Sequence, residues 1–190
     1  AIIIRDLKTG EEHAIAFDEA AYSLDTMGSY EFETTNLRFS YSSMTTPSEV
    51  YDYDMAARTR VLRKRQEIPS GHNPADYVTT RIMAPSHDGA LVPVSILHRK
   101  DLVRDGRAPL LLYGYGSYGM AMPAGFSVSV LSLADRGLVY AIAHVRGGME
   151  KGYAWYRNGR REHKPNTFPD FIACAEKLVS DKYAAPDRIV

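Results

Sequence analysis

The chain has 190 residues, of which 45% are hydrophobic and 24% are charged, proportions typical of a soluble globular protein with one domain or parts of two. Lysine and arginine together number 23, and so do aspartate and glutamate, so no excess charge favours nucleic acid or an anionic membrane as a partner. The basic run RTRVLRKR at residues 58–65 has no interleaved aromatic residue that could stack on a base. We interpret it as a solvated strand face.

The single cysteine, Cys174, lies in an apolar helical pattern and cannot form an internal disulfide, so the chain does not need an oxidising compartment. No segment approaches the roughly 20 apolar residues of a membrane-spanning helix, and no basic-then-apolar leader is present. We therefore expect a cytoplasmic protein with no membrane partner. The first residues contain no Met and read as a strand and turn, so we expect the natural N-terminus to lie upstream, and a periplasmic location stays open.

Residues 1–68 alternate short β-rich runs with turn signals. The runs are AIIIRDL, EEHAIAF, TNLRFSYSS, SEVYDYDM and TRVLRKRQ. Period-two alternation at this spacing is typical of antiparallel sheets in sandwiches, barrels or propeller blades. We expect about six strands, which is too few to close a propeller, and an isolated blade and a half would not be stable.

The pattern changes after the stretch IPSGHNPA, from which we predict a linker at residues 69–75. DYVTTRIMA and ALVPVSILHR predict a hairpin, and PLLLY and LVYAIAHV predict strands that are buried on both faces. Helices are predicted at residues 126–136, 152–159 and 167–182. The last of these has an apolar stripe formed by Phe168, Phe171, Ile172, Ala175 and Leu178.

A further strand opens at Arg188, just before the sequence ends. A hairpin, a strand, a helix, a strand, a helix and one more strand follow the order of the first half of an α/β-hydrolase sheet. That fold places its nucleophile on a turn directly after the strand that opens at Arg188, and an oxyanion contributor in the loop after PLLLY. The loop is present here, and we expect the turn beyond Val190.

The loop sequence GYGSYG at residues 114–119 matches the G-x-G-x-x-G pattern of a dinucleotide site, and Asp135 follows about 20 residues later. Three features disfavour that interpretation. The loop does not open a helix at once, Tyr115 and Tyr118 are bulky, and the next strand ends in the sequence His-Val-Arg instead of an acidic residue for the ribose. We infer that the glycines let the backbone turn sharply while it presents two tyrosines.

No nucleophile or metal site is evident from local patterns. Ser117 is not in a G-x-S-x-G frame, because Tyr115 occupies the position of the first glycine, and no other serine fits the pattern. The histidines show no H-E-x-x-H or paired spacing, so we expect no metal and no other cofactor. We expect each of them on the surface or in a turn: His13, His72, His87, His98, His144 and His163.

Two charged groups allow a functional or a structural interpretation. Asp52 and Asp54 stand two apart on a strand and share one face, as paired carboxylates would, but a solvated face explains them better. Arg146 closes the second buried strand, at the carboxyl edge where the sites of open α/β sheets gather. The structural alternative, which we favour, is an arginine that bonds loop carbonyls.

Several long motifs occur in one order: RFSYSSMTTPSEVYDYDM, YGYGSYG, AIAHVRGGMEKGYAWYRNGR and KPNTFPDFIACAEKL. With them the chain resembles the prolyl oligopeptidase family of serine peptidases, and its oligopeptidase B branch in particular. The resemblance covers nearly all of the chain from Asn36 onward. It implies a seven-bladed β-propeller that covers an α/β-hydrolase domain and admits only short peptides.

The resemblance places the last blades of the propeller at residues 1–68, the linker at 69–75 and the N-terminal part of the catalytic domain at 76–190. It implies an oxyanion role for the hydroxyl of Tyr115 and a place for Tyr118 in the pocket for the substrate side chain. The serine, aspartate and histidine of the family's triad would follow Val190. The remainder of the polypeptide would therefore be needed for an active site, and the 190 residues alone would be inactive.

The implied activity is a serine endopeptidase that cuts short peptides after Arg or Lys. Oligopeptidase B relatives often have two aspartates that bind a second basic residue, and the matching positions here are Pro123 and Gly125. These two positions therefore do not predict a preference for paired basic residues. The alternatives are an acylaminoacyl-peptidase, dipeptidyl-peptidase or esterase on the same scaffold, and a non-catalytic β-propeller interaction module.

Overall fold

A computed structural model describes residues 1–190 as three sheets and three α-helices. The first sheet pairs β1 (Ile3–Arg5) with β2 (Glu12–Ala14). The second is an antiparallel meander of β3 (Tyr22–Thr26), β4 (Asn36–Ser43), β5 (Glu49–Asp54) and β6 (Thr59–Arg65). Strand β3 was not among the runs predicted above, although Tyr22 and Leu24 alternate with polar residues in it.

The meander packs one aromatic face against the β1–β2 hairpin. Phe39, Tyr41 and Tyr53 are buried there with Ile2 and Ile15 of the hairpin. These aromatic residues alternate with polar ones along β4 and β5, so a period-two pattern gives each strand one buried face. The hairpin and the meander are therefore held together by side chains instead of by a shared hydrogen-bond ladder.

Every residue of β6 is exposed, so the basic run is solvated on both faces of the strand. Asp52 accepts hydrogen bonds from Arg38 at 2.6 Å and from Arg63 at 2.8 Å. It is thus the partner of two guanidinium groups instead of half of a carboxylate pair with Asp54.

The third sheet has the strand order β7-β8-β10-β9. Its members are β7 (Tyr77–Pro85), β8 (Leu91–Arg99), β9 (Leu110–Gly114) and β10 (Val139–Ala143). Strand β8 is antiparallel to β7 and to β10, whereas β9 and β10 are parallel. The backbone at residues 188–190 continues the sheet on the other side of β9, with Val190 N donating to Leu110 O at 2.9 Å.

Helices cover both faces of this sheet. Ile96 and Leu97 are neighbours on β8, and both are fully buried, but they point to opposite faces. Ile96 packs in one cluster with Leu178 of α3 (Thr167–Ser180), and Leu97 packs in another with Leu131 of α1 (Val128–Asp135). Met44 from the meander joins the second cluster, so the two large sheets share part of a core.

A third short helix, α2 (Tyr153–Arg157), and two 3₁₀ helices, Pro74–Asp76 and Arg161–Asn166, complete the chain. None of the helices has both the length and the hydrophobicity that a bilayer crossing requires.

The predicted apolar stripe of α3 is partly wrong. Phe168 and Ile172 are 62% and 56% exposed, whereas Asp170 is fully buried on the side that faces the sheet. The helix is rotated toward Asp170 because that carboxylate binds Arg146, as described below. The helix also ends at Ser180, two residues before the predicted end.

Candidate functional site

The loop after β9, called here the tyrosine loop (residues 114–119), reverses direction within a few residues. Gly116, Tyr118 and Gly119 have φ angles of +66°, +56° and +68°. Left-handed backbone is cheap for glycine but strained for tyrosine, and such strain persists only where surrounding contacts impose it. Tyr115 and Tyr118 are 41% and 84% exposed. The loop therefore presents both rings outward, at the carboxyl end of a parallel strand.

The tyrosine loop lies directly against the loop that follows β10. A Cβ atom on Gly116 would be 2.6 Å from methyl groups of both Thr167 and Val145, and a Cβ on Gly147 would be 2.0 Å from Gly116 O. Gly119 N donates to Gly147 O at 2.9 Å. Because the two backbones touch, there is no room for side chains at these glycines. Close packing therefore accounts for the glycines in this loop, and a phosphate ligand is not needed to explain them.

Lys164, in the 3₁₀ helix before α3, reaches the same loop. Its ammonium group donates to Gly116 O at 2.5 Å and to Ser117 Oγ at 2.9 Å. Partial burial lowers the pKa of Lys164. We assigned no role to this lysine from the sequence, although it opens the motif KPNTFPDF.

Arg146 is a structural residue in the loop that follows β10. It is 4% exposed, and its guanidinium binds Asp170 at 2.6 and 2.8 Å and Asp88 at 2.6 Å. The hydrogen bonds that Arg146 donates to Asp170 raise the pKa of Arg146, and in turn Arg146 lowers the pKa of Asp88. The favoured structural interpretation was right, but the partners are carboxylates instead of loop carbonyls.

His144 and His98 are buried, so the expectation that every histidine lies on the surface or in a turn was wrong. His144 lies on the backbone that continues β10 into the core. Its Nε2 atom is 2.8 Å from Ser95 Oγ, and its Nδ1 atom is 3.6 Å from Glu150 Oε1. Burial alone would raise the pKa of Glu150. The His144 ring and the hydrogen bond from the Met122 amide lower this pKa by more than burial raises it, so the net shift is downward.

The segment that follows the tyrosine loop has no acidic residue at the two positions where the resemblance leads us to look for them. Pro123 is exposed, and Gly125 lies beside Ser42, whose Oγ atom accepts a hydrogen bond from Phe126 N at 2.8 Å. The carboxylate of Glu150 accepts a hydrogen bond from Met122 N of this segment at 2.9 Å, and it is buried.

A cavity of about 870 Å³ is on the meander and not at the tyrosine loop. Its charged and aromatic lining includes Glu19, Glu49, Arg60, Tyr41 and Tyr51. None of the residues 114–119 lines it. No group of three or more His, Cys, Asp or Glu side chains is arranged to hold a metal ion.

Two family descriptions match different parts of the chain. The prolyl oligopeptidase family matches residues 124–190, and the N-terminal β-propeller domain of prolyl oligopeptidase matches residues 1–66. The chain therefore belongs to the prolyl oligopeptidase family. This agrees with the fold class predicted from the sequence, antiparallel propeller strands followed by the N-terminal half of an α/β-hydrolase sheet.

Individual relatives extend the similarity over nearly the whole chain. Dipeptidyl aminopeptidase BI from Pseudoxanthomonas mexicana is 46% identical over 95% of this chain and 25% of its own length. Protease 2 from Moraxella lacunata is 30% identical over 95% of this chain and 26% of its own. The structure of oligopeptidase B from Leishmania major aligns with a TM-score of 0.89 at 36% identity, over 98% of this chain and 27% of that one. The chain thus spans about a quarter of the length of these relatives.

Proposed function

We propose that this chain is part of a serine-type oligopeptidase, which hydrolyses short peptides after Arg or Lys by acyl transfer. The observation that carries the proposal is the exposed Tyr115 on the tyrosine loop, which packs against the loop after β10, at the carboxyl end of β9. Membership of the prolyl oligopeptidase family supports the reaction class. The domain division at residues 69–75 and the cytoplasmic location are part of the same proposal.

The sheet geometry supports a place for Tyr115 in an oxyanion hole. Leu110 of β9 pairs in parallel with Ile189, so the strand that begins there runs beside β9 toward the same edge. Adjacent strands lie about 4.8 Å apart, so a turn at the end of the new strand would emerge next to the tyrosine loop. A serine on that turn would bring its tetrahedral intermediate within reach of a loop hydroxyl.

In this proposal the hydroxyl of Tyr115 donates a hydrogen bond to the oxyanion, and the ring of Tyr118 lines the pocket for the substrate side chain. A preformed donor aimed at the developing charge lowers the barrier by about 3 to 4 kcal/mol. The serine and its histidine and aspartate partners would lie after Val190, and the 190 residues alone would not turn over substrate.

A dipeptidyl aminopeptidase is the second candidate. Pro123 and Gly125 offer no carboxylate for a second basic residue, and the relative at 46% identity is called a dipeptidyl aminopeptidase. Such an enzyme needs a free substrate N-terminus, whereas an endopeptidase accepts a blocked one. The two candidates therefore predict opposite effects of blocking the substrate.

The first experiment is to read the coding sequence about 20 codons past Val190 and to express the complete reading frame. A G-x-S-x-G-like turn would support a serine peptidase, and a continuation without such a serine would favour a non-catalytic propeller module. The complete protein would then be assayed on a dipeptidyl Arg-amide with a free N-terminus and on the same compound with a blocked one. Cleavage of the blocked compound supports the endopeptidase, and cleavage of the free compound alone supports the dipeptidyl aminopeptidase.

A further inference from the structure

The direction of the Tyr115 side chain depends on the backbone of the tyrosine loop. Tyr115 is 41% exposed, so packing against neighbours holds its side chain only in part. Rotation of the peptides on either side would move the hydroxyl by several ångströms, because it is at the far end of a long side chain. An oxyanion donor must be aimed before the charge develops, so whatever holds this backbone also controls the donor.

Lys164 holds the peptide group between Gly116 and Ser117, which is the second peptide group after Tyr115. Its ammonium group donates to Gly116 O at 2.5 Å and to Ser117 Oγ at 2.9 Å, so it bridges two consecutive residues of the loop. Lys164 takes part in none of the chain's ion pairs. A lysine on a long flexible stem loses rotamer entropy when it is fixed, and neutral acceptors in place of a carboxylate indicate that the loop is what it binds.

The start of α3 holds the adjoining loop in the same way. Thr167 Oγ1 donates to Arg146 O at 2.8 Å, and Asp170 accepts from Arg146 N at 3.0 Å. Lys164, Thr167 and Asp170 are spaced by three residues and act on two touching loops. A single short segment, residues 164–170, therefore holds both the tyrosine loop and the loop that follows β10.

We infer that Lys164 is a positioning residue for the oxyanion donor, acting through the Gly116 carbonyl and the Ser117 hydroxyl to hold Tyr115 in its reactive direction. The inference rests on the proposed function of Tyr115. It adds a role for a residue that touches neither the substrate nor the reacting atoms.

The kinetic test uses the complete protein and the variants Lys164→Met, Lys164→Arg and Lys177→Met. Lys164→Met should lower kcat roughly 10- to 100-fold with KM within about twofold, because a small misplacement of a catalytic group is costly. Lys164→Arg should recover part of kcat, because it keeps a cationic donor. Lys177, a half-buried residue of α3, donates its side-chain hydrogen bond to Asp181 and not to the tyrosine loop, and its variant should match the wild type. A Lys164→Met enzyme with a kcat within about twofold of wild type would overturn the inference.

A double-variant cycle separates positioning from general loss of structure. If Lys164 acts through the Tyr115 hydroxyl, Lys164→Met should lower kcat by less than about threefold in a Tyr115→Phe background. If it only supports the fold, the losses should multiply. Multiplicative losses would therefore exclude the positioning role.

Hydrogen exchange tests the loop contact without any peptidase activity. Amides of residues 114–120 should exchange faster in Lys164→Met than in the wild type. In Lys177→Met these amides should exchange at the wild-type rate. If the complete protein cleaves no peptide, the proposed function fails, and the exchange data still decide whether Lys164 holds the loop. Equal exchange at residues 114–120 in wild type and Lys164→Met would refute the contact.

Discussion

The carboxylate of Asp170 accepts hydrogen bonds from the backbone amide of Arg146 and from two nitrogens of its guanidinium, at 3.0, 2.8 and 2.6 Å. Asp170 is fully buried, so this bidentate pair is screened from solvent. The side chain of one helix thus fixes both the backbone and the charge of the loop after β10. That loop in turn contacts the tyrosine loop, because Gly119 N donates a hydrogen bond to Gly147 O.

Asp170→Asn should destabilise the fold by about 3 kcal/mol, because it leaves the buried guanidinium of Arg146 with only Asp88 as a charged partner. Urea unfolding of the complete protein would measure the loss. Asp181→Asn, which removes a partner of Lys177 at the edge of the same helix, should change the free energy of unfolding by no more than about 0.5 kcal/mol. Equal effects of the two variants would contradict the structural role of the Arg146 pair.

Tyr115→Phe should lower kcat of the complete enzyme by roughly 10²- to 10³-fold with little change in KM, because the lost hydroxyl acts only on the transition state. Tyr118→Phe is the matched control. It removes a hydroxyl from a residue whose ring is proposed to line the pocket, so kcat should fall by less than about threefold. If both variants keep the wild-type rate, Tyr115 has no place in the mechanism.

Gly116→Ala should displace the tyrosine loop. The new Cβ would be 2.6 Å from the methyl groups of Thr167 and Val145, in addition to the strain of a left-handed alanine. Gly137→Ala is the control, because Gly137 also has a positive φ of +86° but no atom lies within 4 Å of its Cβ. We expect a loss of about 1 kcal/mol in the control and about 2 to 3 kcal/mol more at Gly116. Melting curves that show equal losses would mean that the close contact is absent.

Asp52 should make the stability of the meander depend on pH at the acid end. Hydrogen bonds from Arg38 and Arg63 lower the pKa of Asp52 from 3.8 to about 2. Because the folded-state pKa is depressed, the stabilisation is fully present above pH 3.8 and is lost as the pH falls through about 2. Asp52→Asn should therefore cost about 1 kcal/mol near neutral pH, after allowance for solvent screening, and almost nothing at the acid limit. A cost that stays constant across this range would rule out the ionised carboxylate as its source.

Local patterns were sufficient for most of the fold. Period-two runs predicted five of the six strands of residues 1–68, and continuous apolar runs predicted β9 and β10. Strand β3 was missed because five residues with two apolar positions give a weak signal. The order of the elements, together with the motifs, was enough to predict the α/β-hydrolase half sheet.

The site was less predictable, because its contacts join residues that are distant in sequence. The burial of Asp170 depends on Arg146, which lies 24 residues earlier, and apolar periodicity on α3 favoured Phe168 and Ile172 instead. Similarly, the reach of Lys164 to Gly116 spans 48 residues. Such pairs are set by how α3 docks on the sheet, and no local spacing encodes them.

Cys174 is the only cysteine, is fully buried against the third sheet, and has a pKa raised to about 12, chiefly by burial. The thiolate is the form that reacts with alkylating agents, so in the folded protein this sulfur is protected both by exclusion of the reagent and by protonation. When α3 lifts from the sheet, both protections end together. The rate at which an alkylating agent modifies Cys174 therefore reports how often the core opens, and no labelling site needs to be introduced.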